Sequence, residues 1–175
     1  MEVSADKKIY FLSDFHLGAP NHANSLQREK KIVAFLDSIK NKAAAIFIVG
    51  DMFDFWFEYK HVTPKGYVRL LGKLAEITDM SIPVYFFVGN HDMWMHDYFE
   101  KELNIQVYFE PKSFTWNGKK FFIGHGDGLG PEDHGYKFLK KYLETESAKD
   151  CLVCCILIGE LVSPTFSAAA AEKNG

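Results

Sequence analysis

Cysteine is missing from the first 150 residues; all three, Cys151, Cys154 and Cys155, crowd into one late segment. That placement excludes a disulfide framework for the rest of the chain, and reduced thiols are the expectation. An excess of basic charge is missing too. The formal charge is -3 and lysines and arginines are spread along the sequence, so the clustered footprint of a nucleic-acid binder is absent and no nucleic acid is expected as a partner. No run reaches the roughly 18 apolar residues of a membrane-spanning helix. The opening "MEVSADKKI" holds two acids and no apolar core of signal-peptide length. The expectation is a soluble, cytoplasmic protein without internal repeats. Apolar residues are what the chain has in quantity: they make up 47% of 175 residues, which suits one globular domain, or most of one, with a buried core.

Four apolar runs have strand length, and each finishes at a small residue followed closely by a polar, metal-capable one: "KIYFLSD", "AAIFIVGD", "PVYFFVGN" and "KKFFIGHGD". Between the first two, Asn24 and Gln27 have capping-box spacing and Ile32, Val33, Leu36 and Ile39 form a helical stripe. Between the second and third, Thr63 and Pro64 open a helix whose Val68, Leu71, Leu74 and Ala75 face inward. The β-α-β-α-β order and the absence of alternation predict a parallel sheet buried on both faces, with right-handed crossovers. A short helix over 98–103, a strand near 106–109, a hairpin turning at Asn117-Gly118 and a helix over 136–143 follow. The tail from 144 to 175 changes character, apolar and then rich in serine and alanine. Its Cys151-x-x-Cys154 is a weak zinc or redox signal, and a buried apolar segment is the plainer reading.

In open α/β sheets, loops converge at the carboxyl ends of the strands, and ligands bind there. Those ends carry Asp14 and His16, Asp51, Asn90 and His91, and His125. A single Asp after a strand is usually a cap or turn residue; four such ends in succession are harder to assign to turns. Carboxylate and amide oxygens together with imidazole nitrogens suit Mn²⁺, Fe or Zn²⁺, and a carboxylate can bridge two ions.

In order and spacing, "SDFHLG", "GDMFDFW", "GNHD" and "GHGD" resemble the successive motifs of the calcineurin-like metallophosphoesterases, over about Lys7 to Leu143. More narrowly, "GDMFDFWFEY", "GNHDMW" and "GHGDGLGPEDHGY" resemble the UDP-2,3-diacylglucosamine diphosphatases of lipid A biosynthesis. The resemblance implies an α/β fold, a calcineurin-like metallophosphoesterase β-sandwich flanked by helices. It also implies two divalent metal ions, Mn²⁺ first, and hydrolysis of a nucleotide-lipid pyrophosphate to UMP and 2,3-diacylglucosamine 1-phosphate. On it, Asp14 and His16 hold one metal, Asn90 and His125 the other, and Asp51 bridges them. His91 faces the scissile phosphate together with Asn90, and Asp92 orients the His91 imidazole. Asp133 and Tyr136 match positions that touch the glucosamine headgroup; as residues alone they read equally well as a helix cap and a packed tyrosine. The aromatic run Phe53, Phe55, Trp56, Phe57 and Tyr59 reads chiefly as core, with an acyl-chain groove as the alternative.

The chain departs from the family pattern at one place. Members carry a later Gly-His-x-His motif, one histidine per metal, and the only histidine after His125 here is His134. The expectation is therefore a metallophosphoesterase domain over 1–143, truncated on its C-terminal side, followed by a divergent tail over 144–175. Metal sites short of ligands and a partly uncovered sheet face that invites self-association follow from it. Alternatives are another calcineurin-like phosphodiesterase or nucleotide hydrolase, and a catalytically silent metal-binding chain. Peripheral contact with the inner membrane goes with the lipid substrate.

Overall fold

The computed structural model describes residues 2–59, 61–127 and 145, and Met1–Leu129 form one compact unit. The expected boundary at 143, the helix over 136–143, and Asp133, His134, Tyr136 and all three cysteines lie outside the described residues.

Four parallel strands build the main sheet: β1 (Lys8–Leu12), β2 (Ala43–Val49), β3 (Val84–Phe87) and β4 (Gln106–Tyr108), in that spatial order. They are connected by α1 (His22–Ile39), α2 (Val68–Asp79) and α3 (Tyr98–Leu103). With strand order following chain order, crossovers of one hand put all three helices on one face, and residues of α1, α2 and α3 share one core. The side-chain alternation of β2 shows this directly. Ile46 and Ile48 enter the helix-side core with Ile32, Leu36, Leu70, Leu74 and Phe86. Ala45 and Phe47 enter a second core with Phe87, Trp116 and Ile123. Trp116 and Ile123 come from an antiparallel hairpin, β5 (Lys112–Trp116) and β6 (Lys119–Ile123). Its turn residues Asn117 and Gly118 both have positive φ, 47° and 75°, as a two-residue turn matched to strand twist requires. The last apolar run thus belongs to a second sheet and covers part of the face opposite the helices.

The helix starts differ from the sequence expectation. Asn21, not Asn24, caps α1, its side chain accepting from the Asn24 amide at 3.0 Å. Helix α2 begins at Val68, after Tyr67 in the left-handed region, with no side-chain cap of its own at Tyr67. Buried Glu29 of α1 supplies the cap instead, its Oε1 accepting from the amides of Arg69 (2.9 Å) and Leu70 (3.1 Å). With the start moved, Leu70, Leu74 and Ile77 become the buried stripe and Val68 is exposed.

Candidate metal centre

Strands of one direction deliver their carboxyl ends to one edge, and the loops leaving β1, β2 and β3 run side by side there. The amides of Asp14 and His16 donate to the carbonyls of Gly50 (3.2 Å) and Asp51 (2.9 Å), and the Asp54 amide returns to Leu17 (2.9 Å). Farther along, the Trp56 amide donates to the His91 carbonyl (3.4 Å) and the Glu58 amide to the Trp94 carbonyl (3.1 Å). Arg28 of α1 braces the first loop from below, donating to the carbonyls of Phe15 (2.8 Å), His16 (3.3 Å) and Ala19 (2.6 Å). Residues far apart in sequence are therefore held in fixed register.

Backbone strain concentrates here. Asp14, His16 and Asp51 have φ of 58°, 42° and 52°, a region that costs a residue other than glycine about 1–3 kcal/mol and persists where the surroundings enforce it. Two glycines make the close approach feasible. A Cβ on Gly89 would lie 2.3 Å from Asp51 Oδ1, and one on Gly50 would lie 2.3 Å from His125 Nδ1.

Asp51 is the buried hub. Its Oδ2 lies 3.4 Å from His125 Nε2 and 3.8 Å from His16 Nε2, and its Oδ1 accepts from the His91 amide at 3.1 Å. Burial alone pushes this carboxyl upward, but the hydrogen bonds from His125 and the His91 amide outweigh it and hold the group below the usual carboxylate range. His125 responds in the opposite sense: the Asp51 hydrogen bond, opposed by burial and helped by the Val49 carbonyl, pushes it up to about 9. A metal binding there has to displace that proton. Since a carbonyl only accepts, the 3.0 Å contact with Val49 O puts a proton on His125 Nδ1 and turns Nε2 toward Asp51.

His91 is fixed in the same way. Its Nδ1 lies 2.9 Å from the Asp54 carbonyl, and its ring meets the His16 ring edge-on at 4.7 Å. The orienting partner is thus Asp54 and not, as the motif suggested, Asp92. Asp92 is fully buried and turned away, its oxygens accepting from the amides of Met52 (3.0 Å) and Gly89 (2.7 Å). Burial, opposed by those amides, pushes it up to about 6. It works as a strut between the loops after β2 and β3. Asn90 sits half-buried between the Gly89 amide that holds Asp92 and the His91 amide that holds Asp51.

Among the described residues, two groups of side chains can close around a cation: Asp14, His16 and Asp51, and His16, Asp54 and His91, each with ligand atoms within 4.8 Å of one another. The donor set, carboxylate with imidazole, fits a divalent transition ion. Asp54 had no role in the sequence reading. Its signal was its place inside "GDMFD", where it reaches both His16 Nδ1 (3.7 Å) and His91 Nδ1 (3.8 Å) through Oδ1.

Comparison with known proteins agrees with this geometry. The curated relatives include the UDP-2,3-diacylglucosamine hydrolase of Porphyromonas gingivalis, 47% identical over 120 residues, which are 69% of this chain and 46% of the relative. Proteins of the same name from a Shewanella species and from Escherichia coli O6:H1 are 30% and 29% identical, each over 77% of this chain and over 53% and 56% of the relative. The chain spans about half the length of the curated relatives it matches. The profile of the Calcineurin-like phosphoesterase family, whose members use divalent metals, matches residues 7–156, a span that takes in all four strand-end motifs. With those motifs meeting at one sheet edge around Asp51, the chain belongs to the calcineurin-like phosphoesterase family.

Proposed function

We propose that this chain carries the metal-dependent pyrophosphate hydrolase chemistry of its relatives, acting on a UDP-2,3-diacylglucosamine-type nucleotide lipid. The observation that carries the reading is Asp51, set between His16 Nε2 and His125 Nε2 at one sheet edge. Asp14 and His16 are assigned to one ion, Asn90 and His125 to the other, and Asp51 to both, with Mn²⁺ as the first candidate. When bound, such ions supply Lewis-acid charge toward phosphoryl oxygens and make water acidic at neutral pH. The protein's own contribution is positional. The Asp54 carbonyl keeps the His91 Nδ1–H occupied, so Nε2 is the atom assigned to hold or release a proton at the leaving oxygen. Asn90 joins His91 at the phosphate, Asp92 sets the loop that bears both, and Asp133 and Tyr136 are assigned to the sugar headgroup. Water cleaves the P–O–P bridge, giving UMP and the lipid 1-phosphate.

Other expectations go with the reading. The protein is assigned to the cytoplasm, touching the inner membrane to reach its substrate. Exposed Phe11 and Phe121, both against Trp116 on the hairpin side of the sheet, support self-association through that face. The test is release of UMP from the lipid nucleotide with and without Mn²⁺. Mn²⁺-dependent release is the expected result. Turnover of a chromogenic phosphodiester without UMP release would transfer the assignment to another calcineurin-like hydrolase, and Mn²⁺ binding without turnover of either compound to a silent metal-binding chain.

A further inference from the structure

The inward face of α1 changes character toward its start. Ile32, Leu36 and Ile39 pack it with apolar groups, whereas Ser25, Arg28 and Glu29 hold the same face nearer the first turn, Ser25 and Glu29 buried and Arg28 half-buried. A polar side chain on such a face is costly unless its hydrogen bonds are made. All three direct theirs to main-chain groups of other segments. The Ser25 hydroxyl accepts from the Gly18 amide (2.8 Å). Glu29 caps α2, the helix that Tyr67 precedes, and the Tyr67 hydroxyl donates to the Leu17 carbonyl (3.1 Å). Arg28 takes the most: Nη1 donates to the carbonyls of Phe15 and His16, and Nη2 to that of Ala19. On its other side the same loop is tied to the one after β2, through the amides of Asp14, His16 and Leu17. The loop is thus gripped from two sides, and α1 supplies most of the outer grip.

We infer that Arg28 is a positioning residue for the metal centre: its guanidinium gathers three loop carbonyls and so keeps the His16 imidazole facing Asp51 before any ion is bound. This rests on the metal assignment proposed above. The backbone carries the argument. Asp14, His16 and Gly18 all have positive φ, 58°, 42° and 115°, and the carbonyls of Phe15, His16 and Ala19 converge on one guanidinium. Without that donor, three partly buried oxygens would face one another unpaired, and a non-glycine residue at positive φ relaxes once its surroundings stop enforcing the conformation. The side chain displaced by such relaxation is His16. Among the described residues it is common to both groups able to close around a cation, with its ring 3.8 Å from Asp51 Oδ2 and 3.7 Å from Asp54 Oδ1. Arginine suits this task better than lysine. A planar fork reaches separated acceptors with two nitrogens, whereas a compact ammonium meets them from one point.

The test reads ion binding and backbone opening, so it does not depend on turnover. Calorimetric Mn²⁺ titration compares the unaltered chain with Arg28→Met, which keeps the stem, Arg28→Lys, which keeps the charge, and Ile32→Val, which loosens the same helix away from the loop. Asp14→Asn identifies the binding step that belongs to the ion assigned to Asp14 and His16. Urea unfolding and amide exchange of the metal-free protein are measured alongside. The expected result is a loss of about tenfold or more in that step for both Arg28 variants, with the other step unchanged. Faster exchange at the His16 and Leu17 amides and full Mn²⁺ affinity in Ile32→Val are expected with it. Should Arg28→Met fail to fold, Arg28→Lys decides. Full affinity in Arg28→Lys would mean that positive charge suffices, and would overturn the inference. Equal weakening of both steps, a matching loss in Ile32→Val, or unchanged exchange at those two amides would reduce Arg28 to general stability, overturning the inference and leaving the proposed function standing. Failure of the unaltered chain to bind Mn²⁺ would overturn the metal assignment and the inference with it.

Discussion

Asp51 touches every arm of the centre. It faces His16 and His125 through one oxygen and takes the His91 amide on the other. Asn90 sits on one loop only. Asp51→Ala is therefore expected to abolish Mn²⁺ binding at both positions, and Asn90→Ala to weaken one of them, in a calorimetric titration that counts ions bound. Equal, partial losses from the two substitutions would contradict a shared carboxylate. At this scale the candidate ligands were legible because each follows an apolar strand directly. The roles of Asp54 and Asp92 were not, because they depend on which backbone groups lie opposite. Asp92 neighbours His91 in sequence yet bonds the amides of Met52 and Gly89, and a main-chain carbonyl at Asp54 leaves no trace in the residue type.

Helix α1 was readable as an element, with Ile32, Leu36 and Ile39 buried as its periodicity required. The start of helix α2 differs from the sequence expectation because its cap is Glu29, forty residues before the Arg69 amide it accepts from, and no local pattern records a cap supplied by another helix. Around the same two helices a partly exposed cluster joins Asp37 and the C-cap Lys40 of α1 to Lys73 and Glu76 of α2. Hydrogen bonds from Lys40 and Lys73 hold the Asp37 carboxyl down to about 2, and the same lysines hold Glu76 below its usual range. A carboxyl depressed in the folded state contributes stability that is present above the unfolded value of about 4 and lost as pH falls toward the folded one. Thermal unfolding followed downward from about pH 4 is expected to show this loss, and Asp37→Asn to flatten it. Solvent screening keeps the effect modest and sensitive to salt. An unchanged slope in Asp37→Asn would leave the cluster without a part in joining α1 to α2.

Across the whole molecule, the sheet serves two cores through alternate residues of the same strands. The sequence announced burial on both faces by the lack of alternation in "AAIFIV", but which partner covers which face follows from the crossover hand, a property of the chain path and not of any residue. Phe47 lies at the centre of the hairpin-side core, against Phe114 at 5.1 Å and Trp116 at 5.3 Å. Phe47→Ala is expected to cost about 3–5 kcal/mol in urea unfolding, as truncation of a fully buried phenylalanine does. A loss near zero would mean that the hairpin rests on the sheet without stabilising it.

The spatial order of β1 to β4 repeats their order along the chain, and that sets a timetable. As the polypeptide leaves the ribosome, each new strand finds its neighbour already made, so the main sheet can grow by addition at one edge. Asp14, His16 and Asp51 are in place once β2 has docked. His125 arrives only after β6, beyond the whole parallel sheet. Until then Asp51 lacks the imidazole that later holds it down. A sheet that grows in chain order therefore completes the Asp14, His16 and Asp51 side of the centre before the His125 side.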